Sequence, residues 1–338
     1  VTSTRTTTHH PWLAAGLVVS SIVGVLVGLA VTAAEPIPGL PEPAVVVRVG
    51  LPIVRVLLDM AAVVTVGLSL LPLLIGFDRP KLAEPVLAGA RRVAMLSALV
   101  WVVTALVALV LQTAELRPGA NVSAASVFDY IGTVGAGKAL VFVAAFAAIS
   151  FGLSVWSVRA GESVPAELRA AVALFALLPL PVTGHATNWR WHDFTMISME
   201  LHVMSAAAWT GGLGAVVVLL AANRTLLAHA LPRFSKLATI CLVVVTATGV
   251  FNGAVELLVN PNIPLLEALV GTRYGVLVLL KTACLVGLAV LGAKIRWRLM
   301  PAIAAHRSTA LVTWAGLELA IMGLAFGFAV VLTRAPVS

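Results

Sequence analysis

Apolar positions in this chain run in long unbroken stretches instead of alternating or recurring every third or fourth residue. Nine such stretches can be drawn, at about residues 12–32, 44–77, 93–111, 137–158, 170–182, 194–222, 237–259, 274–295 and 309–332. About 20 apolar residues in helical form cross a bilayer's hydrocarbon core. Of open structures, only a helix satisfies its own backbone there. The pattern predicts an all-α, polytopic transmembrane helix bundle of about nine spans. The chain divides into a polar tail (1–11), a five-span amino-terminal part (12–183) and a four-span region (184–338). The first stretch is longer than the apolar core of a signal peptide and lacks a clear small-residue cleavage pattern, so it is read as a membrane helix. No fixed-period repeat and no low-complexity segment interrupts the series.

Composition supports the same class: 60% of the 338 residues are hydrophobic and 11% charged, where soluble domains carry roughly 25% charged residues. The net charge of +8 does not point to nucleic acid, because the basic residues sit in short loops between spans, where charge sets topology. Loops at one end, with the tail, hold 14 Lys and Arg residues; those at the other hold four, Arg117, Arg190, Arg273 and Arg334. This bias predicts a cytoplasmic amino terminus and an external carboxyl terminus. Cys241 and Cys284 lie inside spans without CxxC spacing and read as small core residues, not as a disulfide.

Candidate chemistry gathers in residues 184–214, GHATNWRWHDFTMISMELHVMSAAAWTGGLG, which hold three of the seven histidines and three of the seven methionines. The charge bias opens this stretch on the external face. With a helix starting near Asp193 as N-cap, His192, Met196 and Met199 follow i, i+4, i+7 and share a face. His202 continues it deeper, and His185 folds back from the loop, while Met204 is displaced and packs. Imidazole and thioether donors suit a soft ion, copper and Cu(I) in particular; Mg²⁺ or Ca²⁺ require oxygens. For each methionine, core packing stands beside ligation as a reading. For His202, an imidazole in an apolar helix needs a partner.

Ionisable groups inside the spans form a second set. Arg55 and Asp59, four apart on one helix face, form either a structural ion pair or the lining of a polar pathway. Lys281 and Glu318 each lie about ten residues into their spans, roughly 15 Å deep, near the midplane. On consecutive antiparallel helices they are expected to offset each other's desolvation, as a structural pair or as a relay below the metal site. Glu256 and Glu200, nearer the outer ends, add negative potential that attracts a cation.

The runs LHVMSAAAWTGGLGAV (201–216), LPRFSKLATICLVVVTATGVFN (231–252), TRYGVLVLLKTACLVGLAVLGAKIRWR (272–298) and HRSTALVTWAGLELAIMGLAFGFAVVLTRAP (306–336) resemble the CopD family of bacterial copper-resistance and copper-uptake membrane proteins. The resemblance is strongest over about 185–336 and looser before it. These segments are also similar to the CopD half of actinobacterial proteins joined to a CtaG-like cytochrome c oxidase assembly domain, a second half not expected after Ser338. The resemblance implies copper movement across the cytoplasmic membrane, with an external copper carrier protein as donor. It points to His202, Trp209, Gly211, Gly212, Lys281 and Glu318, the glycines allowing close helix approach. No Walker sequence, phosphorylated Asp motif or cytosolic CxxC indicates an ATP-driven pump, and no motif joins a ligand set to a general base, so an enzyme is not expected. Two other readings remain: a haem-binding membrane electron carrier, and a copper-delivery or assembly factor for a terminal oxidase.

Overall fold

The structure is a computed structural model, and it describes residues 10–33, 42–183, 191–258, 263–304 and 310–335. It is all-helical: α1 Pro11–Val31, α2 Val45–Ile75, α3 Pro80–Glu115, α4 Ala124–Thr133, α5 Gly135–Ala160, α6 Ala166–Phe175, α7 His192–Leu220, α8 Arg224–Leu257, α9 Leu265–Gly271, α10 Arg273–Lys294, α11 Met300–Ala304 and α12 Leu311–Leu332. Among the described residues nine helical segments are long and apolar enough to cross a membrane. The fifth is composite: α6 passes through a turn into a 3₁₀ segment, Leu180–Thr183. The basic loops lie at one end of the bundle, called here the basic end.

The most enclosed helix is α2, which touches α1, α3, α6, α7 and α12; α5 lies against α3, α8 against α7, and α10 against α12. Close approach depends on missing side chains. Where α2 crosses α7, a Cβ on Gly67 would collide with the carbonyl of Gly211, and one on Gly211 with the carbonyl of Val63. Gly212, one residue on, admits the ring of Phe234 from α8, which would stand 3.1 Å from an added Cβ. Helices in lipid associate through such small-residue contacts, since apolar burial alone gives no preference over acyl chains. The α1–α12 pair repeats the device: Gly24 lies against the Leu324 carbonyl and Gly327 against that of Ser21.

Polar groups inside the bundle bond to backbone. The hydroxyls of Ser21, Thr65, Thr104 and Thr113 each donate to the carbonyl four residues earlier, at 2.7–2.9 Å. The carboxyl end of α2 is closed by a residue distant in sequence. Gly76 takes φ 81°, and the Arg233 guanidinium donates to the Ile75 carbonyl at 2.5 Å, a cation at the negative end of a helix. A side chain on Gly76 would strike that guanidinium.

Two boundaries extend beyond the apolar stretches. α3 has 36 residues and α8 has 34, about 54 and 51 Å long at 1.5 Å per residue, and in both the surplus lies at the basic end. There Glu162, between α5 and α6, pairs with Arg91 of α3 at 2.7 Å and Arg169 of α6 at 3.3 Å; Arg91 also pairs with Glu84. Both arginines are buried. The loop after α3 contains the short helix α4, started by a capping box between Ser123 and Ser126.

Replacing Gly67 by Leu is expected to destabilise the protein by about 1–3 kcal/mol or to prevent folding, whereas Gly16→Leu, in open space on α1, leaves it unchanged. Thermal unfolding in detergent reads both, and equal melting temperatures would refute the crossing.

Candidate functional site

α7 begins at His192, one residue before the expected start; Trp191 is its N-cap and makes no side-chain capping bond. Asp193 therefore lies inside the first turn, where its carboxylate complements the positive helix end, and is not the cap. It stands 3.2 Å from His192 Nδ1. His192 is exposed, Met196 is buried, and Met199 and His202 are half-buried. Met204 packs against the core. His185 lies outside the described residues.

Met199 and His202 both meet α8. The Met199 sulfur is 4.0 Å from Asn252 Nδ2, and His202 Nδ1 is 2.9 Å from Thr248 Oγ1. The ring also lies against Gly249, 3.4 Å from where a Cβ would stand, so that glycine lets the imidazole in. The Thr248 hydroxyl also lies 2.6 Å from the Val244 carbonyl, to which it can donate. With that bond made, Thr248 accepts from His202, the arrangement that puts the N–H at Nδ1 and a lone pair at Nε2. The imidazole is thereby oriented as a metal ligand is, by a bond from its other nitrogen.

The face of α8 that carries Thr248 continues through Asn252 and Glu256 at four-residue spacing. Tyr274 of α10 neighbours Glu256, and Lys281 of α10 neighbours His202. Asn252 Oδ1 is buried without a hydrogen-bond partner among the described residues. A polar strip thus runs between α7, α8 and α10: Met199, His202, Thr248, Asn252, Glu256 and Lys281. Among the described residues, no three His, Cys, Asp or Glu side chains converge as a metal site.

The expected Lys281–Glu318 pair is not formed. The two helices pack together, but Lys281 turns to the α7–α8 side, while Glu318 is buried against the indole of Trp209. Among the described residues that indole N–H has no hydrogen bond of normal length. Equal depth on adjacent helices was the basis of the expectation; the rotation of each helix about its own axis separates the groups. Trp209 is thus a neighbour of the buried carboxyl, while Gly211 and Gly212 lie at the helix crossings described above.

Arg55 and Asp59 do stand together, with Nε 3.5 Å from Oδ1. Arg55 also donates to Thr183 Oγ1 at 2.5 Å, tying α2 to the composite span. With Gln112, Thr333 and Arg334 it lines a cavity of about 20 Å³, room for about one water. Arg334, ion-paired with Glu115, lies below its ordinary pKa because of burial and the Arg55 guanidinium. Nearby, burial pushes the Tyr130 phenol up to about 12 while it donates to Gln112 at 2.8 Å.

Two family profiles match this chain: the amino-terminal domain of copper resistance protein D-like proteins over residues 46–193, and copper resistance protein D over residues 228–332. The chain belongs to the copper resistance protein D family. The first match ends at the start of α7 and the second begins within α8, so Met196, Met199, His202 and Met204 lie between the two. No curated protein and no solved structure matches. The Thr248 partner of His202 falls within the second match; it is 46 residues away in sequence, and its only signal is the T-G step, Thr248-Gly249.

Asp59→Leu alone leaves the Arg55 charge unpaired and is expected to cost about 3–5 kcal/mol. Adding Arg55→Met should recover most of that, since Thr183 retains its own bond to the Leu180 carbonyl. A double-mutant cycle by thermal unfolding measures the coupling; additive losses would make the pair irrelevant to stability.

Proposed function

We propose that this multi-pass protein moves copper, as Cu(I), across the cytoplasmic membrane, taking it at an external His/Met entrance and passing it inward along α7. The observation that carries the reading is His202, its Nδ1 2.9 Å from Thr248 Oγ1 and its ring one helical turn from the Met199 thioether. Imidazole and thioether together favour Cu(I) over harder ions. The direction rests on the charge bias of the loops, which places the basic end in the cytoplasm and His192 outside.

Each residue has a part. His192 and Met196 take the ion from an external carrier at the start of α7. Met199 and His202 receive it about 10 and 15 Å further along the axis. Glu256 and Glu200 supply negative potential along the outer strip, and Lys281, the charged neighbour of His202, opposes a cation remaining there, so His202 acts as a point of passage. Glu318, beside Trp209, offers a buried carboxyl for a coupled proton. The protein supplies no reaction of its own; it acts as a transporter and not as an enzyme.

The spacing argues against a haem held by His192 and His202. Ten residues apart on one helix, they lie about 15 Å apart along the axis, too far to share an iron.

Copper stoichiometry of purified protein under reducing conditions tests the entrance. His192→Ala with His202→Ala is expected to lose at least one bound ion per chain, and unchanged stoichiometry would remove these residues from the path. Thr248→Val tests the orientation separately: the imidazole keeps its place in the sequence but loses the group that sets its tautomer. Cu(I) affinity, measured by chelator competition, is expected to fall about 10–100-fold. An affinity equal to wild type would show that the bond does not prepare His202.

A further inference from the structure

Between α7 and α8, at the end of the bundle away from the basic loops, two buried oxygen atoms have nothing to bond. Ser198 of α7 is 9% exposed, and its Oγ has no hydrogen-bond partner among the described residues; neither has Asn252 Oδ1 of α8. The two stand at one level, because Asn252 Nδ2 lies 4.0 Å from the sulfur of Met199, the residue after Ser198. Ser198 precedes His202 by four residues, so it shares the flank of α7 that meets α8. Thr195, one turn earlier, gives its hydroxyl proton to the His192 carbonyl at 2.9 Å; Ser198 makes no such bond. Buried polar atoms that the protein leaves unpaired are matched by an ordered water or an ion.

The charge around these atoms selects between the two. Glu256 follows Asn252 by four residues on the same stripe of α8, is half-buried, and makes no salt bridge among the described residues. It lies in the last turn of α8, which ends at Leu257, where the helix dipole is negative. Tyr274 of α10 is buried and borders Glu256, bringing a phenol oxygen from a third helix. Lys281 lies seven residues further along α10, about 10 Å towards the basic end, so its positive charge bounds the group on that side. One carboxylate and three neutral oxygens carry a single negative charge, which matches a monovalent cation. Donors that are all oxygen suit a hard one.

We propose that Ser198, Asn252, Glu256 and Tyr274 form a binding site for a hard monovalent cation, with Na⁺ as the ion to test. The Glu256 carboxylate supplies the charge. Ser198 Oγ and Asn252 Oδ1 supply neutral donors from facing helices, and the Tyr274 hydroxyl adds the contact with α10. The ion joins α8 to α10, two helices that otherwise make little contact. Its donors differ from the imidazole and thioethers beside them, so the site takes a different ion and the inference does not depend on copper.

The test uses full-length protein in a non-ionic detergent, with copper removed by a Cu(I) chelator. Melting temperatures are recorded against NaCl, KCl, CaCl₂ or choline chloride at constant ionic strength. NaCl is expected to raise the melting temperature by several degrees in a saturable way, with KCl weaker and choline chloride without effect. Asn252→Leu and Glu256→Gln should each lower Na⁺ affinity about 10-fold or more, while Glu267→Gln, which removes an exposed carboxylate on α9, leaves it unchanged. If Glu256→Gln does not fold, Ser198→Ala removes one buried oxygen without adding volume and should weaken Na⁺ binding by itself. Equal melting temperatures in NaCl and choline chloride would leave the two oxygens to water. Equal losses in Glu256→Gln and Glu267→Gln would reduce the effect to surface potential, and tighter binding of Ca²⁺ would make the site a divalent one. Any of these results overturns the proposal.

Discussion

A polar group inside hydrocarbon can bond only to the protein around it, and this constraint sets much of what is specific in the bundle. Serine and threonine hydroxyls give their proton to the carbonyl one turn back. For most of them this is mere satisfaction, but for Thr248 it has a chemical result. When its proton goes to Val244, the oxygen accepts, and His202 donates from Nδ1. In that arrangement a backbone carbonyl on α8 favours the imidazole tautomer on α7 whose lone pair is at Nε2. In water the hydroxyl would be free to turn, and the tautomer would not be fixed.

That relation holds only if α7 and α8 keep their register, and glycine supplies the register. Gly211 brings the α7 backbone onto α2, Gly212 admits Phe234, and Gly249 admits the His202 ring. Arg233, on the same helix as Thr248, closes the end of α2 through the Ile75 carbonyl. The most enclosed helix is thereby tied to the helix that orients the histidine, and the strip between α7, α8 and α10 inherits its geometry from contacts well away from it.

The spans were legible because lipid imposes a length and an absence of charge that a reader can count. Their ends were less so. Residues 80–92 carry Glu84, Arg91 and Arg92 and read as loop, yet they are helical, because a helix leaving the membrane need not stop where its apolar residues stop. The Arg55–Asp59 pair could be read from a spacing of four on a single helix. The Lys281–Glu318 pair could not be settled that way: counting residues gives how far down a helix a group lies but not which neighbour it faces. The partner of His202 was out of reach for the same reason, since only packing brings Thr248 beside it. His185 lies outside the described residues.

The unequal helix lengths bear on what happens at the far side of the bilayer. α3 and α8 exceed the hydrocarbon thickness by some 20 Å, and the bridge from Arg91 through Glu162 to Arg169 ties the extra turns of α3 to α6. The surplus stands in water as two posts on one side of the protein. Under the proposed transport, an ion leaving the basic end of α7 would emerge at a level with these extensions, beyond the headgroups.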